Sequence, residues 1–204
     1  MSAGSFCLQC SSYQNTVAKF GHWAKFILFA WLVTSAAGAE VVKSDLPNFH
    51  AVHSYLLRGG EPSINGLKTL KDLGVDVIVD LRAPTDKAQS EKSCAKRLGM
   101  KYINLPMSSK PPTQEQVNTF LKAVDEKAQL SKDDAPQNKE EKYPHSVFVH
   151  CAHGSDRTGC MVGIWRVSRD HWSYEQAYKE MRKYYFGPQY KQLAEAVKQR
   201  CVRQ

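Results

Sequence analysis

The tightest constraint on this chain is a ten-residue window, His150 to Gly159, that reads HCAHGSDRTG. Just before it, Ser146 to Val149 (SVFV) is a short β-branched and aromatic run, the pattern of a buried strand. Just after it, Thr158 to Asp170 places Val162, Trp165 and Val167 at helical spacing. The window is therefore predicted as a tight loop that carries the chain from a buried strand into the N-terminus of a helix. Such a junction belongs to an α/β domain, where ligands meet the carboxyl ends of the strands.

The residue types in the window suit one chemistry. Five residues separate Cys151 from Arg157, enough for the backbone to curl around a tetrahedral anion. Successive N–H groups then point inward and the following helix adds its positive end. Ala152, His153, Gly154, Ser155 and Asp156, closed by Arg157, form the predicted phosphate cradle. The same field favours a thiolate, and so a nucleophile, at Cys151. Arg157 offers a planar, bidentate donor pair to two oxygens of a transferring phosphoryl group, which a lysine cannot copy. Thr158 stands where its hydroxyl can donate to the sulfur as it leaves. Gly154 and Gly159 permit the close backbone approach such a loop needs.

These residues resemble the signature of the protein tyrosine phosphatase superfamily, HCxxGxxR followed by Ser or Thr and Gly. His150, Cys151, Gly154, Arg157, Thr158 and Gly159 meet every fixed position. Upstream, YLLRGGEPSINGLKTLKDLGVDVIVDLR (Tyr55 to Arg82) resembles the opening strand, helix and strand of the compact dual-specificity branch, so the resemblance extends over residues 46 to 204. It implies a single α/β domain with a mostly parallel central sheet flanked by helices, a phosphocysteine intermediate, and neither metal nor other cofactor. It also implies catalytic roles for Cys151, Arg157 and Thr158, with His150 and Gly159 supporting the loop.

One departure bears on mechanism. The family takes its general acid from an aspartate on an upstream loop, which in the dual-specificity branch follows a strand resembling Lys101 to Pro106 (KYINLP). Here that loop reads MSSKPPTQEQ from Met107 and holds no aspartate. Its first acid, Glu115, falls inside the next helix, because Thr113 and Gln116 form a capping-box pattern. Asp156 is the candidate substitute, as an Asp before the signature arginine resembles the myotubularin-type phosphoinositide phosphatases. The alternatives are that Asp156 orients Arg157 or bonds within the loop, or that Asp86 or Asp125 supplies the proton.

The N-terminus carries a second signal. Lys19 and Lys25 precede an uncharged run from Phe26 to Val33, and TSAAGA then ends at Ala39, with no Asp or Glu before Glu40. The pattern is that of a secretory signal peptide over residues 1–39, followed by a catalytic domain over 40–204. An exported enzyme, periplasmic or secreted, is expected. The apolar run falls short of the roughly 20 residues of a membrane span, so membrane contact is expected only if the leader stays uncleaved as an anchor. Beyond the leader, Cys94, Cys151, Cys160 and Cys201 remain, and reversible pairing of Cys151 with another cysteine is one expectation in an oxidising compartment. The alternative for Cys94 and Cys160 is small buried apolar side chains.

The formal net charge is +8, which suits an anionic substrate. No basic run with interleaved aromatics marks a nucleic-acid surface. His50 and His53 read as surface or core histidines. Arg58 and Arg82 are expected in salt bridges to Glu61 or Asp80. The periodicity predicts helices over 63–73, 88–98, 113–130, from 173 and over 189–201, and strands over 75–81 and 101–105. The function expected is cysteine-dependent hydrolysis of phosphomonoesters, with phosphotyrosine or dual-specificity protein substrates. Inositol phosphates and phospholipid head groups are the alternative substrates, and a weakly active phosphate-binding module is the alternative class.

Overall fold

A computed structural model of the chain describes residues 44–133 and 141–201. The leader assigned to residues 1–39 lies outside the described residues. Residues Ala39–Gln204 form one unit. Its strands are β1 (His50–His53), β2 (Leu56–Gly59), β3 (Val75–Asp80), β4 (Lys101–Asn104) and β5 (Ser146–His150). Its helices are α1 (Ile64–Asp72), α2 (Asp86–Arg97), α3 (Gln114–Asp133), α4 (Asp156–Ser168), α5 (Tyr174–Lys183) and α6 (Lys191–Cys201).

The sheet runs in the order β1-β2-β5-β3-β4. All pairings are parallel except β1 with β2. That places β5, the strand before Cys151, at the centre, where both faces are covered, and every one of its residues is buried. Alternate side chains of the central strands feed two cores. Leu56, Val77, Val79, Val147 and Val149 pack with residues of α3 to α6 on one face. Leu57, Ile78 and Phe148 pack with α1 and α2 residues, among them Leu67, Leu70 and Ala95, on the other.

The helices begin where their caps place them. Ser63 Oγ accepts the Gly66 N–H at 3.0 Å and Thr85 Oγ1 that of Ala88 at 3.2 Å. Thr113 with Gln116, and Ser173 with Gln176, exchange the reciprocal bonds of capping boxes. Helix α4 is buried from Thr158 to Val167, because the sheet covers one side and α5 and α6 the other. Several boundaries differ from expectation, the third helix running on to Asp133 and the last starting at Lys191, and one strand was not expected. The second helix starts at Asp86, two residues early, because Thr85 caps it, and the edge strand β1 has too weak an alternation to announce itself. No helix among the described residues is long and apolar enough to cross a membrane.

Candidate active site

The loop from Cys151 to Arg157 leaves the carboxyl end of β5 and enters α4 at Asp156. Its carbonyl groups are drawn outward one after another. Glu61 N–H donates to Ala152 O at 3.1 Å. Asn48 Nδ2 donates to His153 O at 3.3 Å and to Gly154 O at 3.1 Å. Arg58 Nη2 donates to Gly154 O at 2.7 Å, and Gly159 N–H to Ser155 O at 2.8 Å. A planar peptide whose carbonyl faces outward presents the next N–H to the opposite side, so these bonds aim the loop amides at the anion site. Gly154 has φ +74°, and a Cβ there would lie 2.4 Å from the Gly59 carbonyl carbon. Glycine is thus required at this position by both conformation and contact.

Cys151 is 3% exposed and lines a cleft of about 290 Å³ together with Ser108, Ser109, His153, Asp156, Arg157 and Tyr190. Arg157 Nη1 reaches the carbonyls of Leu81 and Met107 at 3.4 and 3.5 Å, long contacts that brace the guanidinium against the ends of neighbouring strands. The Thr158 hydroxyl is buried with no hydrogen-bond partner among the described residues. An unsatisfied buried hydroxyl is costly.

Behind the loop lies a network of buried charges. His150 Nε2 meets Glu91 Oε1 at 2.8 Å, and its Nδ1 faces Cys151 O at 3.3 Å. Arg82 donates to both Asp80 oxygens at 2.9 Å, to Glu91 at 2.5 Å and to Glu61 at 2.8 Å. Tyr102 O–H adds a bond to Asp80 at 2.5 Å. Burial opposes the charge on Asp80, but the bonds from Arg82 and Tyr102 and the field of His150 outweigh it and hold the carboxyl below its ordinary range. Asp80, Glu91 and His150 converge within 4.8 Å, close enough for a cation site, and the cation already among them is the Arg82 guanidinium.

Arg82 thus takes both expected partners, whereas Arg58 takes neither. Arg58 is bound to the loop carbonyl of Gly154 and stacked 4.5 Å over the Tyr184 ring, because β2 points it across the sheet toward α4 and α5. His50 packs on Tyr184 at 4.3 Å, and His53 pairs with Asp170 at 2.8 Å. Of the acids considered, Asp156 lines the cleft, and its Oδ1 also accepts the Gly187 N–H at 2.8 Å. Glu115 sits in the first turn of α3. Asp125 is held by Arg169 at 2.8 Å, and Asp86 lines a separate cleft beside Glu61 and Glu91.

The four cysteines of the domain are free thiols. Cys160 is fully buried, donates to Leu193 O at 3.4 Å and is pushed up to about 12 by burial, while Cys94 belongs to the core on the opposite face of the sheet. Sequence reasoning missed Asn48, Gly59, Gly60, Tyr190 and the role of Arg58. The adjacent glycines after a strand are a usable signal, since a Cβ on Gly60 would lie 3.0 Å from Ala152 O.

Known proteins share this architecture. PTPMT1 superposes with a TM-score of 0.58 at 20% identity, covering 76% of this chain and 97% of that one. Among curated proteins, the chain is 26% identical over 139 residues to inositol diphosphatase DSP5 of Arabidopsis thaliana, covering 67% of this chain. It is 25% identical over 153 residues to the dual specificity protein phosphatase TpbA of Pseudomonas aeruginosa, covering 75% of this chain. The chain spans 61% of the length of each of those two, and 17% of the mouse mRNA-capping enzyme that it also matches. Residues 41–199 match the family described as DSP-PTPase phosphatase fused to NAD+ kinase. That match takes in both the strands that carry the phosphate loop and the helices that back it, and the chain belongs to this dual-specificity-type branch of the protein tyrosine phosphatase superfamily.

Proposed function

We propose that this chain is a cysteine-dependent phosphomonoester hydrolase. The observation that carries the reading is the cleft itself. Cys151 lies in a loop whose carbonyls are bonded outward, with Arg157 and Asp156 lining the same cleft. Cys151 attacks phosphorus in line and the ester oxygen leaves. Arg157 and the loop amides hold the phosphoryl oxygens through the transition state. Asp156 is the one acid among the residues lining that cleft and is assigned as proton donor to the leaving oxygen. Water then cleaves the phosphocysteine, and the buried Thr158 hydroxyl donates to the departing thiolate.

Phosphotyrosine in a protein is the first substrate class, consistent with the likeness to TpbA. Inositol phosphates are the second, favoured by a specific feature. The segments that supply Ser109 and Tyr190 continue into a groove of about 590 Å³ carrying Lys110 and Lys191 against the single carboxylate Glu195, so a further phosphate would find a net positive charge. Phosphate release from phosphotyrosine peptides, inositol phosphates and phosphoinositides, with Cys151→Ser as the blank, tests both readings. Turnover confined to one class names the substrate. No Cys151-dependent release from any of them would leave a phosphate-binding module. Export is proposed from the leader alone, and N-terminal sequencing of the chain recovered from cells tests it. A start at Glu40 is expected, and an intact N-terminus would contradict cleavage.

A further inference from the structure

Arg58 on β2 has no solvent exposure, and among the described residues it has no carboxylate partner. Its Nη2 donates to Gly154 O at 2.7 Å, while Nε and Nη1 are buried without a hydrogen-bond partner among those residues. The guanidinium instead lies against the Tyr184 ring, its Cζ 4.5 Å from the centroid. Burial pushes its pKa down to about 10, partly offset by the field of the Glu180 carboxylate. Arginine is the side chain best suited to stay charged under such desolvation. A cation removed from water is expensive unless an anion compensates it. Arg58 holds the carbonyl of Gly154, within the loop that runs from Cys151 to Arg157.

We propose that Arg58 is a positioning residue and the second cation of the phosphate site, acting from behind the loop. Its bond keeps the Gly154 carbonyl turned away from the anion. Its charge, offset in part by Glu180, is further balanced by the anion the loop holds, the Cys151 thiolate in the free protein and the phosphoryl group in the complex. Arg157 touches the substrate from within the cleft, whereas Arg58 acts through the backbone and never meets it. The inference rests on the reading of Cys151 as the nucleophile.

Two substitutions in the full chain test the charge. Arg58→Gln loses the charge and, being two bonds shorter, also gives up the bond from Nη2 to Gly154 O, and Arg58→Lys keeps the charge. Two readouts apply: the pH profile of Cys151 alkylation by iodoacetamide, and the affinity for orthovanadate. Arg58→Gln is expected to move the alkylation profile up by about one pH unit, the effect of removing a nearby opposite charge. It is also expected to weaken orthovanadate roughly tenfold, and Arg58→Lys to recover most of both. A Gln variant with the parental profile and affinity, changed only in thermal stability, would overturn the proposal. If Arg58→Gln does not fold, Tyr184→Ala decides, because it admits water beside the guanidinium and screens it. The same upward displacement is then expected, and an unmoved profile overturns the idea. A parental chain that binds no orthovanadate would remove the phosphatase reading itself.

Discussion

Two arginines stand at the carboxyl ends of the strands flanking β5, and they are treated in opposite ways. Arg82, just past β3, bonds to carboxylates of Asp80, Glu91 and Glu61, and those partners raise its pKa against the cost of burial. Arg58, on β2, has a carbonyl and an aromatic face, and burial lowers its pKa to about 10. The first arginine commits its charge within the protein, tying β3 and α2 to His150, which precedes Cys151. The second has no carboxylate in hydrogen-bond contact among the described residues and stands beside the loop proposed to bind an anion. Two residues of one type therefore divide the work of holding the site and charging it.

The largest effect is expected at Arg82. Arg82→Met leaves the buried Asp80 and Glu91 without their cation and should cost about 3–5 kcal/mol, the usual result of breaking a buried pair from one side. Urea denaturation measures it, and a loss below about 1 kcal/mol would break the comparison. Asp156→Asn tests the chemical side. With Asp156 as acid, activity on alkyl phosphates falls by about a hundred- to ten-thousandfold, and much less on aryl phosphates with good leaving groups. Equal losses on both would remove the assignment and leave Asp156 as a tether to Gly187.

A smaller effect is expected from acid. Asp80 is held below its ordinary range by the Arg82 bonds despite burial, and Asp76 likewise by Lys127 and His145. Their folded-state pKa values lie below the unfolded ones, so their contribution is complete above about pH 4. It is lost as pH falls through the depressed values. The urea midpoint followed downward from pH 6 should show this decline, with its Asp80 part absent in Asp80→Asn. Least affected in stability is Arg58→Met. Replacing a desolvated, carboxylate-free cation by an apolar chain of similar volume should change stability by only about 1 kcal/mol. A loss matching that of Arg82→Met would show that both arginines are structural.

The contrast also explains what could be read from the sequence. The window from His150 to Gly159 was legible because its chemistry is local: the spacing of Cys151 and Arg157 is fixed by one turn of loop. The helices announced themselves through Ser63, Thr113 and Ser173, whose capping bonds span three residues. Arg58 did not, because the carbonyl that gives it meaning is 96 positions away, and no local pattern separates it from Arg82. Asn48, brought to the loop from the turn before β1 with φ +51°, was hidden for the same reason. The fate of Asp156 was half legible. Its place beside Arg157 put it at the site, but its bond to Gly187 depends on the turn between α5 and α6.

The most direct test of the central claim is acid quenching during turnover of an aryl phosphate, followed by peptide mass mapping. The expected result is a phosphate adduct on Cys151 that accumulates in the parental chain and is absent from Cys151→Ser. Turnover with no adduct on Cys151, or with the adduct on another side chain, would contradict it.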